Sequence, residues 1–158
     1  MPKQILLLVL AVVLAVVTAA FFFGKEKPAA EPAYIAPGDA AVLARGKEIY
    51  AAHCASCHGA QLEGQADWRQ RLPNGRLPAP PHDVSGHTWH HPDEVLIDIV
   101  KNGLVPGKTA PQGYESDMPA YAGILSDADI TAVLAYIKSS WPPEALAIQK
   151  ELTLRRAE

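Results

Sequence analysis

The chain has 158 residues, room for one small domain with an extension. Its 14 basic and 17 acidic residues give a formal charge of −3, and setting Lys3 apart makes the remainder more negative still. That balance argues against nucleic acid as a partner, because binding to it needs a basic face.

The first element is apolar. Ile5 to Phe23 is a run of nineteen residues whose one polar member is Thr18, flanked by Lys3 and by Lys25, Glu26 and Lys27. As a helix it would span about 30 Å, the thickness of a bilayer's hydrocarbon core. Val17-Thr18-Ala19 offers a small-residue cleavage pattern, so a cleaved signal peptide is the competing reading. The run outlasts the usual secretory apolar region, which favours an uncleaved transmembrane signal-anchor over residues 1–24. Both readings send the rest of the chain out of the cytoplasm. Residues 25–37 hold Pro28, Pro32 and Pro37 among alanines and charges, and read as an extended tether that would let an anchored head visit more than one partner. Residues 38–143 then form the head and residues 144–158 a tail.

Asp39 to His53 carries helical spacing, with Val42, Leu43, Gly46, Ile49 and Tyr50 at three- and four-residue steps and Asp39 placed as the N-cap. This helix runs directly into Cys54-Ala55-Ser56-Cys57-His58. The pattern C-x-x-C-H is the attachment signature of c-type haem: each thiol can form a thioether to one vinyl group, and the histidine is placed to coordinate the iron. Zinc would need a second ligand pair, and the chain has only these two cysteines. A thiol redox site would follow a strand, and no strand pattern precedes Cys54.

A second helix is expected from Pro92 to Asn102, with Asp93 and Glu94 at the positive end of its dipole, Val95, Leu96, Ile99 and Val100 on its buried face, and Gly103 at its end. A glycine- and proline-rich loop from Leu104 to Pro119 follows and contains Met118, the chain's one methionine besides the initiator. A third helix is expected from Asp127 to Ser139, opened by a capping box over Ser126 to Asp129 and stopped by Trp141-Pro142-Pro143. Gly46 opposite an aromatic such as Tyr136 would let the first and last of these helices cross closely. The tail has an amphipathic hint in Leu146, Ile148, Leu152 and Leu154. With no alternating strand pattern, the fold class is all-α, and a head this small has a meagre core that a large apolar cofactor would complete.

Ala44 to Tyr50, Cys54 to Gly59, Met118-Pro119 and Ile130 to Trp141 together resemble class I c-type cytochromes over about residues 37–143. The stretch from Pro80-Pro81-His82 to His91-Pro92-Asp93 resembles that of membrane-anchored bacterial monohaem forms. The resemblance implies a small helical domain around one covalent haem c, with His58 and Met118 as its metal ligands. It implies that Pro80 or Pro81 accepts the Nδ1–H of His58, that Trp89 and Arg76 hold haem propionates, and that Tyr121 closes the pocket beside Met118. His82, His87, His90 and His91 are rivals of Met118 for the iron, and four histidines in ten residues could also hold copper or zinc. His53 is expected to be exposed.

Six-coordinate iron has no open position for substrate, which implies an electron carrier and not an enzyme. The expected partners are the membrane, through the N-terminal helix, and redox proteins such as a terminal oxidase or a quinol-oxidising complex. The expected location is the bacterial inner membrane, with the head in the periplasm. A haem enzyme or gas sensor with an open sixth position is the alternative, as is a fixed oxidase subunit that uses the tail as a contact.

Overall fold

A computed structural model describes residues 34–155, together with Lys3. Apart from Lys3, the expected anchor over residues 1–24 lies outside the described residues, as does most of the expected tether. Among the described residues no helix is long and apolar enough to cross a membrane.

The described residues form five α-helices and one short 3-10 turn, with two isolated β-bridges and no strand. Helix α1 spans Ala40–His53 and α2, a single turn, Ala55–His58. The 3-10 turn covers Thr88–His90; α3 is Asp93–Asn102, α4 Asp127–Lys138 and α5 Pro143–Arg155. The Asp39 carboxylate caps α1 by accepting from the backbone N–H groups of Ala41 (2.8 Å) and Val42 (3.0 Å). Ser126 and Asp129 form the reciprocal capping box that starts α4.

Helices α1 and α4 make the principal helix pair. Gly46 is why they can approach. A Cβ there would lie 2.0 Å from the Ala132 carbonyl oxygen and 2.8 Å from the Tyr136 Cβ, so only a bare backbone fits. Ile49 and Tyr50 from α1 meet Ile130, Val133, Leu134 and Ile137 from α4, and Leu96 of α3 completes the core. Arg45 ties the exposed flank of the pair to Asp129 at 2.9 Å.

Three features were not legible in the sequence. First, α5 follows α4 almost at once and packs against the 3-10 turn, burying Ala145, Gln149 and Thr153. Second, Asp93, expected only as a partner of the helix dipole, is buried. Its carboxylate takes the Lys138 ammonium at 2.8 and 3.0 Å, the Gln149 amide at 2.7 Å and the Ile35 N–H at 2.7 Å. The Lys138 ammonium also lies 3.9 Å from the centre of the Tyr34 ring. Burial lowers the Lys138 pKa, and the hydrogen bond and charge of Asp93 oppose that shift. Third, Tyr34 and Ile35, in the stretch read as a tether, are thereby part of the head.

Candidate haem site

Cys54 ends α1 as its C-cap and begins α2 as its N-cap, so the motif occupies the junction between two helical turns. Cys54 and Cys57 are three residues apart around that turn, a spacing that sets side chains on one face. Both are free thiols, Cys54 half-buried and Cys57 exposed. Burial, aided by the neighbouring Cys57, pushes the Cys54 thiol up to about 11.

His58 closes α2 and is buried. Its Nδ1 donates to the Pro80 carbonyl at 2.9 Å, so of the two prolines expected from the sequence it is Pro80 that holds the ring. Pro81, next to it, is buried, and its carbonyl lies so near Gly86 that a Cβ there would be 2.0 Å away. With its hydrogen on Nδ1, the imidazole leaves Nε2 a lone pair for a metal. Burial lowers the His58 pKa, and the Pro80 bond opposes this in part. The neutral, ligating form is therefore favoured. These donors fit haem c: two unpaired thiols on one helical face, and beside them an imidazole of fixed tautomer.

The surroundings hold the motif in shape. The buried Tyr50 hydroxyl donates to the Gly59 carbonyl at 2.8 Å and lies 3.2 Å from the His58 carbonyl. Leu62 sits in the core with φ +71°, a strained conformation for a branched residue. Its carbonyl accepts from the backbone N–H of His82 (2.8 Å) and Asp83 (3.3 Å), which ties the chain after the motif to the segment carrying Pro80. The His82 ring then stacks on the His58 ring, centroids 4.0 Å apart and 20° from parallel, and its Nδ1 is 2.9 Å from the Thr88 hydroxyl. Burial holds the His82 pKa well below its ordinary value, with the nearby His58 and His87 adding to the effect. The sequence marked His82 only as one of a cluster; its place against the proximal imidazole emerges from the fold.

The other histidines do not converge. His87 stacks on Trp68 at 5.4 Å and meets His91 edge-on at 5.5 Å, and His90 lies against Trp89 at 3.7 Å. Among the described residues, no group of three or more His, Cys, Asp or Glu is arranged to hold a separate metal ion.

Met118 is half-buried on the loop before α4, its N–H donating to the Ser116 hydroxyl at 3.0 Å. Tyr121, three residues on, is bonded through its backbone N–H to the Val100 carbonyl (3.0 Å). Its hydroxyl donates to the His53 carbonyl (2.6 Å), just ahead of Cys54. The Met118 segment is thus brought against the start of the haem motif. His53 is half-buried beneath the Tyr121 ring, not exposed as expected, because Tyr121 covers it. The donors expected at the propionates have other partners here. The Trp89 N–H donates to the Val84 carbonyl at 3.3 Å, and the Arg76 guanidinium pairs with Asp117 and, at 3.5 Å, with Glu115.

Residues 43–141 match the sequence model of the family described as Cytochrome c. The chain is also similar to cytochrome c6 of Picosynechococcus sp., 30% identical over 128 residues, which cover 81% of this chain and 89% of that protein. No solved structure matches. The motif geometry, the helices that carry it and the extent of these matches lead to one conclusion: the chain belongs to the cytochrome c family, as a class I c-type cytochrome, an electron-transfer protein with one covalently attached haem c.

Proposed function

We propose that this protein is a membrane-anchored carrier of single electrons whose iron is held between His58 and Met118. The observation that carries this reading is the buried His58 imidazole at the end of the thiol-bearing turn, with Nδ1 fixed by the Pro80 carbonyl. Haem c, when bound, supplies a one-electron iron couple, and a thioether ligand favours its ferrous state and so raises the potential. The chain's own part is to keep that couple closed to other chemistry. Pro80 orients the imidazole, Tyr50 secures the carbonyls that follow it, and Met118, on the loop before α4, would supply the sulfur. With His58 and Met118 both holding the haem, no site would be left for oxygen or peroxide, which is the behaviour of a carrier.

The remaining assignments follow from the leader. Residues 1–24 anchor the chain in the bacterial inner membrane as a single pass, residues 25–37 lead to the head, and the head works in the periplasm. There it passes electrons between respiratory partners, such as a quinol-oxidising complex and a terminal oxidase. The similarity to cytochrome c6 supports the carrier reading.

The test is spectroscopic. The ferric holoprotein is expected to be low-spin, with the weak long-wavelength sulfur-to-iron band, and Met118→Ala to lose that band. A high-spin ferric spectrum, or rapid carbon monoxide binding to the ferrous wild type, would establish an open sixth position and remove the carrier reading. Release from membranes by detergent and not by salt checks the anchor; a soluble form beginning near Ala20 would refute it.

A further inference from the structure

Arg76 stands at the end of a tightly fixed loop. At the base of that loop the Gln65 N–H donates to the Ala79 carbonyl (2.9 Å), and the Ala79 N–H to the Gln65 side-chain oxygen (2.8 Å). At its tip, the N–H groups of Leu72 and Gly75 donate to the carbonyls of Arg76 and Leu72, both at 2.8 Å. The Arg76 N–H donates to the Asn74 side chain at 3.0 Å, and the Arg71 guanidinium to the Gly75 carbonyl at 2.6 Å. Gly75, at φ +84°, supplies the backbone conformation that this turn requires. The loop ends at Pro80, which holds His58.

The segment that carries Met118 is tied far more loosely. Tyr121 fixes its far end, and the Tyr114 N–H bonded to the Pro111 carbonyl (3.1 Å) closes a local turn at its near end. Between them, among the described residues, the backbone from Glu115 to Ala120 makes no hydrogen bond to another segment. The cross-links there come from side chains. Arg76 pairs with Asp117, immediately before Met118, and with Glu115 at 3.5 Å, while Arg71 lies 5.9 Å from the centre of the Tyr114 ring.

We propose that Arg76 is a positioning residue for Met118: its ion pairs to Glu115 and Asp117 clasp the methionine loop to the rigid loop that fixes the proximal histidine, and so set how readily the sulfur leaves the iron. This rests on Met118 being the distal ligand. The pairs are exposed, so they add little to overall stability and are open to salt. An interaction of that size still matters on a segment with no backbone ties, because local opening, not global unfolding, releases the sulfur.

The test follows imidazole binding to the ferric full-length holoprotein, monitored by loss of the sulfur-to-iron band. Arg76→Gln is expected to keep the band and to bind imidazole about fivefold faster than wild type, the scale of an exposed pair. Arg76→Lys is expected to recover part of the wild-type rate, and the double variant Glu115→Gln, Asp117→Asn to match Arg76→Gln. Raising salt is expected to speed the wild type and to leave Arg76→Gln unchanged. Equal rates in wild type and Arg76→Gln, with the band intact in both, would overturn the clasp and leave the ligand assignment standing. So would a shift in potential with no change in rate, which is what a propionate-holding arginine would give. A wild type without the band, binding imidazole as fast as Met118→Ala, would overturn the clasp together with the ligand assignment.

Discussion

Replacing Lys138 by methionine removes one charge of a buried pair and strands the other. The Lys138 side chain is fully buried and that of Asp93 is 3% exposed, so water cannot take over the lost interaction. Breaking such a pair from one side costs about 3–5 kcal/mol. Asp93 keeps two donors in the variant, the Ile35 N–H and the Gln149 amide, each at 2.7 Å, which places the loss at the lower end, about 3 kcal/mol. That is roughly a 150-fold change in the folding equilibrium, a fall of about 10 °C in Tm or of 1–2 M in the urea midpoint. The assay is urea unfolding of the holoprotein, followed by far-ultraviolet circular dichroism. A second variant separates a stranded charge from a mere loss of packing: in Lys138→Met with Asp93→Asn, no charge remains and the amide oxygen can still accept. It is expected to regain about half of the loss. A single-variant loss under about 1 kcal/mol, or a double variant less stable than the single, would show that the pair does not hold α3 to α4 as argued.

Two further outcomes follow from the fold. Gly46→Ala sets a Cβ 2.0 Å from the Ala132 carbonyl, where ordinary contact begins near 3.4 Å, and the obstacle is backbone that cannot swing aside. Despite alanine's helix propensity, the variant is expected to lose about 3 kcal/mol, read as a lower thermal midpoint; an unchanged midpoint would mean that α1 and α4 do not cross there. His87 and His91 both have pKa values lowered chiefly by burial. Below about pH 6.5 the unfolded chain therefore binds protons that the folded one resists, so their contribution is complete above that pH and is lost as the pH falls through the lowered folded values. Urea midpoints are expected to fall between pH 7.5 and 5.5, and to fall less in His87→Gln, His91→Gln; parallel curves would contradict the assignment.

What the sequence disclosed is what is local. The haem motif, the Asp39 cap, the Ser126–Asp129 box and the Gly46 crossing each declare themselves within a few neighbouring residues or along one helical stripe. What it concealed depends on pairing across the chain. Asp93 at the start of a helix looks like any dipole partner, and Lys138 at the end of another looks the same in reverse; that they meet in the core, 45 residues apart, leaves no mark on either pattern. The family resemblance narrowed the His58 acceptor to two prolines, but the choice of Pro80 is made by backbone geometry in a loop without periodicity. Arg76 has the same character. A cation near the cofactor reads naturally as a propionate ligand, and only the fold brings Glu115 and Asp117 within its reach.

The arrangement around Asp93 also bears on mechanics. Its carboxylate grips the chain at Ile35, before the first helix, and its backbone N–H donates to Thr153, near the end of the last. Tension applied at Ile35 therefore meets this knot before it can unwind α1. The thiol-bearing turn downstream is thereby insulated from displacements of the chain ahead of the first helix.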